Sequence, residues 1–123
     1  MTKILLVEDD DIVARVAIWR LGKLGYEVCG RATNAADALK IAAEEHPDLI
    51  LMDININGPV DGIATAKMLK EVTDAPLVYI TSQTDEETII RAADTRPAGF
   101  IAKPFENVDL RIAIEIALRK NKA

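Results

Sequence analysis

Cysteine and histidine are almost absent from this chain of 123 residues, which holds one of each, Cys29 and His46. A single thiol cannot close an internal disulfide. With one imidazole it cannot furnish the usual zinc ligands either, so the chain fits a reducing compartment. Cys29 reads as a small buried hydrophobe on a strand, and His46, at a helix end before Pro47, as a solvated C-terminal residue with no role as a base. Long hydrophobic runs are also missing. Half of the residues are hydrophobic, yet the longest apolar runs are strand-length and punctuated by charge, which excludes a membrane span or signal peptide and leads us to expect a soluble, cytoplasmic protein. Basic charge is not in excess: 15 Lys and Arg face 20 Asp and Glu, for a net charge of −5. That argues against a nucleic-acid surface, since the basic residues are scattered apart from Arg119, Lys120 and Lys122. We find no linker, repeat or low-complexity stretch. One domain over residues 1–123 is expected, able to bury roughly two thirds of its unfolded surface without disulfide or metal staples.

What the chain does have is Leu49-Ile50-Leu51-Met52-Asp53, an apolar run ending in one carboxylate and followed by a loop containing Gly58-Pro59. The run reads as a strand buried on both faces, with Asp53 at its carboxyl end. Open α/β sheets place their chemistry there. The same alternation recurs along the chain. Lys3 to Val7 reads as a first strand, stopped by Glu8-Asp9-Asp10-Asp11, where Asp10 or Asp11 caps a helix. Val13, Ala17, Leu21 and Leu24 then recur at helical spacing, with Trp19 off that stripe beside Ile12 and Val16. Glu27 to Ala32 is a weaker strand, placed at or near a sheet edge by Glu27 and Arg31. Asn34 with Asp37 resembles a capping box for a helix to about His46, with Ala35, Leu39, Ala42 and Ala43 on its apolar side. A third helix runs from Ile63 to Val72, a fourth strand from Leu77 to Thr81, and a helix near Glu86 to Asp94 begins at a second capping box, Thr84 with Glu87. Phe100 to Ala102 is the fifth strand, and a last helix covers Val108 to Lys120.

Five strands alternating with five helices imply an α/β fold with a parallel sheet, right-handed crossovers and helices on both faces. All strand carboxyl ends then share one edge, which gathers Glu8, Asp9, Asp53, Thr81 and Lys103. Three carboxylates in one pocket repel each other and call for a hard divalent cation, and magnesium suits the set because it keeps waters for a phosphate substrate. Lys103 can offset an anion, and the Thr81 hydroxyl can donate to one of its oxygens. These are parts for phosphoryl transfer with one carboxylate as nucleophile. Thr81 or Lys103 alone would be unremarkable at a strand end. Their joint placement with the acids carries the reading.

Val7-Glu8-Asp9-Asp10, Leu51-Met52-Asp53, Tyr79-Ile80-Thr81-Ser82 and Gly99-Phe100-Ile101-Ala102-Lys103-Pro104-Phe105 together resemble the motif set of the response-regulator receiver domain of two-component signalling, over essentially the whole chain. The resemblance implies a flavodoxin-like (βα)5 doubly wound sheet in the order 2-1-3-4-5. It implies that Asp53 is the phosphoacceptor, served by a histidine kinase or histidine phosphotransfer protein. The implied ion is Mg²⁺, with Mn²⁺ a substitute, bound by Asp9 directly, by Asp53, by Glu8 through a water and by the Asn55 carbonyl. Lys103 would pair with the phosphoryl group, the peptide before Pro104 would be cis, and Thr81 with Phe100 would form the switch. The implied role is a signalling switch that promotes its own phosphorylation and dephosphorylation, with no turnover of an external substrate.

Two departures from the family pattern stand out. The stretch Ile56-Asn57-Gly58-Pro59-Val60-Asp61-Gly62 is one residue longer than usual, and Phe100 replaces a common tyrosine, so switching rests on packing without a hydroxyl. No effector domain is expected after the motif set, so output is expected through a partner surface or by passing the phosphoryl group on. Leu110, Ala113, Ile114 and Ala117 should face the sheet. Ile112 and Ile116, on the far side, should join the fourth helix and fifth strand in a partner or self-association patch. Asn55 and Gln83 should flank an attacking water and tune acyl-phosphate hydrolysis. Rival classes fit less well: a haloacid-dehalogenase-type phosphatase needs a second acid at Asn55, and a nucleotide-binding enzyme needs a glycine-rich turn where Glu8-Asp9-Asp10 stands. The remaining alternative is a degenerate receiver acting as a phosphorylation-independent scaffold, although the acids, hydroxyl and lysine whose loss marks such proteins are all present.

Overall fold

The computed structural model describes residues 1–56, 60–82 and 85–120. Strands β1 (Lys3–Val7), β2 (Glu27–Ala32), β3 (Leu49–Asp53), β4 (Leu77–Thr81) and β5 (Gly99–Ala102) alternate with helices α1 (Asp11–Lys23), α2 (Ala35–Glu45), α3 (Gly62–Leu69), α4 (Glu86–Ala93) and α5 (Asn107–Lys120). The strands form one parallel sheet in the order β2-β1-β3-β4-β5. β3 and β4 are buried along their whole length, as their unbroken apolar runs require of a sheet covered on both faces.

Side chains alternate across the sheet and divide the core in two. Ile4, Leu6, Leu49, Leu51, Val78, Ile80 and Ile101 meet Ala14, Ala17 and Leu21 of α1 and Leu110, Ile114 and Ala117 of α5. Leu5, Val7, Ile50, Met52 and Tyr79 meet Ala38 and Ala42 of α2, Ile63, Ala66 and Leu69 of α3, and Ala92 of α4. By the same alternation Asp53 shares the α1/α5 face with Leu49 and Leu51. Cys29 packs partly buried against the α2 layer.

Three expectations about the helices are corrected, two about faces and one about an end. Ala14, not Val13, lies in the core on α1, because this helix carries apolar residues all round (Ile12, Val16, Ile18 and Trp19 are exposed) and the small residues are the ones that let it approach the sheet. On α2 the third core position is Ala38, and Ala43 is exposed. α3 closes at Leu69 with Lys70 as its C-cap, and Glu71 and Val72 continue only as a turn on the Met68 and Leu69 carbonyls. Helix starts follow capping chemistry. Asp10, Asn34 and Asp61 each accept a backbone N–H of the first turn, and Asp85 does so for α4 through Glu87 N–H. The capping role expected of Thr84 falls outside the described residues. His46 is an exposed left-handed C-cap of α2, with φ of 50°.

Candidate functional site

The strand ends converge as the parallel topology demands. Glu8 and Asp9 leave β1, Asp53 ends the adjacent β3, Thr81 ends β4 and Lys103 follows β5. Lys103 Nζ lies 3.1 Å from Asp53 Oδ2 and 3.5 Å from Glu8 Oε1. Carboxylate oxygens of Glu8, Asp9 and Asp53 all come within 4.8 Å of one another. Backbone donors orient two of these acids: Asn55 N–H donates to Asp53 Oδ1 at 2.9 Å, and Asp10 N–H to Glu8 Oε2 at 3.2 Å. Glu8, Asp53 and Thr81 are buried. The Lys103–Pro104 peptide is cis.

The electrostatics show a site with surplus negative charge. Burial, then the hydrogen bond and charge of Asp53, push the Glu8 carboxyl up to about 7, against the pull of the Asp10 N–H and Lys103. Burial opposes the charge on Lys103, but Asp53 and Glu8 outweigh it and raise the ammonium above its usual range. One lysine does not balance three acids. The donor set, all carboxylate oxygens around one point, fits a hard divalent cation such as Mg²⁺ or Mn²⁺.

Two residues that sequence reasoning did not assign to the site turn out to build it. Gly62 opens α3 against the backbone that follows Asp53: a Cβ at Gly62 would collide with the Asp53 carbonyl oxygen and would stand 2.7 Å from Ile54 Cα. Gly62 N–H also donates to the Ile54 carbonyl at 2.9 Å. Its only sequence signal is a glycine directly after the Asp61 cap. Arg31 does lie on an edge strand, β2, as expected, but it also reaches the acidic loop: Nε donates to the Glu8 carbonyl at 2.8 Å, and Nη1 pairs with Asp11 Oδ1 at 2.7 Å. Its hydrogen bond and charge hold the exposed Asp11 carboxyl below the usual range.

Of the two residues expected to switch, Thr81 is buried at the end of β4 and Phe100 lies on β5. Phe100 is 40 % exposed, its ring centroid 5.5 Å from that of buried Tyr79, and the Tyr79 hydroxyl and Thr95 Oγ1 share a hydrogen bond of 2.7 Å. Ile112 and Ile116 are 52 % and 47 % exposed and line, with Phe100 and Pro104, a groove of about 490 Å³ between β5 and α5. Gln83 and the lengthened segment 57–59 lie outside the described residues.

Residues 4–115 match the response regulator receiver domain. The "Transcriptional regulatory protein PdtaR" of Mycobacterium tuberculosis is 30 % identical over 118 residues, covering 96 % of this chain and 57 % of PdtaR. The "Uncharacterized transcriptional regulatory protein YvcP" of Bacillus subtilis is 34 % identical over 121 residues, covering 98 % of this chain and 50 % of YvcP. The chain therefore spans about half the length of these curated relatives. Among solved structures, the signal receiver domain of a modulated diguanylate cyclase from Desulfovibrio desulfuricans G20 superimposes with a TM-score of 0.93 at 37 % identity, covering 99 % of this chain and 97 % of that one. The matched family, the strand order and the acids, hydroxyl and lysine on one sheet edge agree, and this chain belongs to the response regulator receiver domain family, whose members are phosphoacceptor signalling modules.

Proposed function

We propose that Asp53 accepts a phosphoryl group from a phosphohistidine of a histidine kinase or phosphotransfer protein, and that the modified domain switches a partner-binding surface or hands the group on. The observation that carries this reading is the Lys103–Asp53–Glu8 contact set beside Asp9 on one sheet edge. A carboxylate oxygen of Asp53 forms the bond to phosphorus as the bond from phosphorus to the donor imidazole nitrogen breaks, the electron pair leaving with the imidazole, which takes up a proton. Asn55 N–H holds one Asp53 oxygen, and Lys103 stands at the other, where it offsets negative charge on the transferred group. Asp9 and Asp53, the Asn55 carbonyl and Glu8 through a water would hold one Mg²⁺ or Mn²⁺, which supplies further charge neutralisation when bound. In the modified state the Thr81 hydroxyl donates to a phosphoryl oxygen, and Phe100 turns inward beside Tyr79. Asn55 and Gln83 tune the approach of water, and thus the lifetime of the acyl phosphate.

The exposed face formed by α4, β5 and α5, with Ile112 and Ile116, is the proposed surface for a downstream protein or a second copy. The protein acts in the cytoplasm as a switch, with no turnover of an external substrate and no direct nucleic-acid contact. No helix of the described residues is long and apolar enough to cross a membrane. The test is incubation with phosphoramidate and Mg²⁺ followed by intact mass measurement. Wild type should gain one phosphoryl group and Asp53→Asn none; equal gain in both, or none in wild type, sinks the reading.

A further inference from the structure

Arg31 is attached to the site by a local irregularity of the sheet. β1 and β2 pair Ile4 with Val28 but Leu5 with Gly30, which leaves Cys29 as an extra residue in β2. Val28 packs in the α1/α5 layer and Cys29 in the α2 layer. In a regular strand Gly30 would return to the α1 side and Arg31 would face α2. After the bulge the alternation is inverted. A Cβ on Gly30 would meet Ile41 Cγ2 of α2 at 2.7 Å, Ala32 packs in the α2 layer, and Arg31 pairs with Leu6 and reaches Asp11 at the start of α1. The extra residue is what delivers the guanidinium to the face that carries Asp53.

Its contacts there are specific. The Glu8 N–H donates to the Ala32 carbonyl at 2.9 Å, and the Glu8 carbonyl accepts from Arg31 Nε at 2.8 Å. That carbonyl belongs to the peptide plane shared with Asp9, so the Arg31 contact sets the direction in which the chain presents Asp9. The other arm of the fork is anchored on Asp11 at 2.7 Å. Nη2 is buried and has no hydrogen-bond partner among the described residues. The guanidinium is therefore held by its Nε and Nη1 arms, one on the Glu8 carbonyl and one on Asp11.

We propose that Arg31 is a positioning residue for divalent-cation binding, fixing the Glu8–Asp9 peptide so that both carboxylates converge on Asp53. This rests on the metal-site reading above. The alternative effect of Arg31 has the opposite sign. A cation beside the acidic loop repels a metal ion, so if charge alone mattered, removing Arg31 would tighten binding. Positioning predicts weakening.

The experiment is calorimetric titration of the unphosphorylated protein with Mg²⁺, for wild type, Arg31→Met and Arg31→Lys, with Asp9→Ala as control and a thermal melt of each. The expected result is a Kd about tenfold weaker in both Arg31 variants, since lysine keeps the charge but not the fork. Saturating Mg²⁺ should restore most of the phosphoramidate reaction. Unchanged or tighter binding in a folded variant overturns the proposal, and so does failure of both variants to fold, which would make Arg31 a purely structural staple. If Asp9→Ala binds Mg²⁺ like wild type, the metal site itself is misassigned, an outcome separate from that of Arg31.

Discussion

Tyr26 shows how a single side chain reports its surroundings. Its hydroxyl donates to Glu115 Oε2 at 2.7 Å, and burial, then that hydrogen bond and the Glu115 charge, push the phenol from 10.0 up to about 12. The folded protein thus binds this proton more tightly than the unfolded chain. The Tyr26 contribution to stability is complete below pH 10 and is lost as pH rises from there through about 12. Burial also raises Tyr79. An ultraviolet titration of tyrosinate should therefore show no tyrosine ionising at the ordinary value. Tyr26→Phe should remove the step near 12 and cost about 1 kcal/mol in urea denaturation. A normal tyrosinate midpoint in the folded protein would contradict the Tyr26–Glu115 contact.

At the scale of elements, the start of α3 presses closely on the backbone that follows β3. The chain must leave Asp53 and start a helix against its own backbone, and only glycine leaves room for that at position 62. Gly62→Ala forces α3 outward or bends the segment after Asp53. The expected cost is about 2–4 kcal/mol in chemical denaturation, with a slower phosphoramidate reaction even where the variant is folded. Full retention of rate and stability would show that this junction is not the constraint described. The α1 helix illustrates the converse. Asp10 accepts the Ile12 and Val13 N–H groups at 2.9 and 3.0 Å, so the start of α1 is set by local chemistry legible in Glu8-Asp9-Asp10-Asp11. Its buried face was not legible, because apolar residues surround the helix and periodicity does not favour Ala14 over Val13.

For the whole molecule, two expectations follow from where charge and apolar surface lie. The carboxylates of Glu8, Asp9 and Asp53 are drawn together in the folded chain and dispersed in the unfolded one. Mg²⁺ at about a hundred times its Kd should therefore raise the unfolding free energy by about 2.7 kcal/mol, and chelation should reverse this. A melting temperature indifferent to Mg²⁺ and chelator would exclude a site assembled by folding. On the flank, Ile90, Phe100, Ile112 and Ile116 expose apolar side chains along α4, β5 and α5. Changing Ile112 and Ile116 to Asp should leave phosphorylation and melting temperature nearly unchanged, because neither side chain is in the core, while weakening self-association or partner binding measured by sedimentation or calorimetry. Unaltered association would rule the patch out.

The alternation of five strands with five helices, the caps at Asp10 and Asn34, and the residues at the strand ends were determined by the sequence, because period, capping chemistry and motif spacing are local properties of the chain. The gathering of Glu8, Asp9, Asp53, Thr81 and Lys103 on one edge followed from parallel topology alone. Three features depended on which residue sits opposite which: the inversion of β2 at Cys29 that sends Arg31 to the Glu8 carbonyl, the contact that requires Gly62, and the choice of Ala14 for the core face of α1. Register, close backbone approach and helix rotation are settled by packing between segments far apart in sequence, and only the tertiary structure decided them.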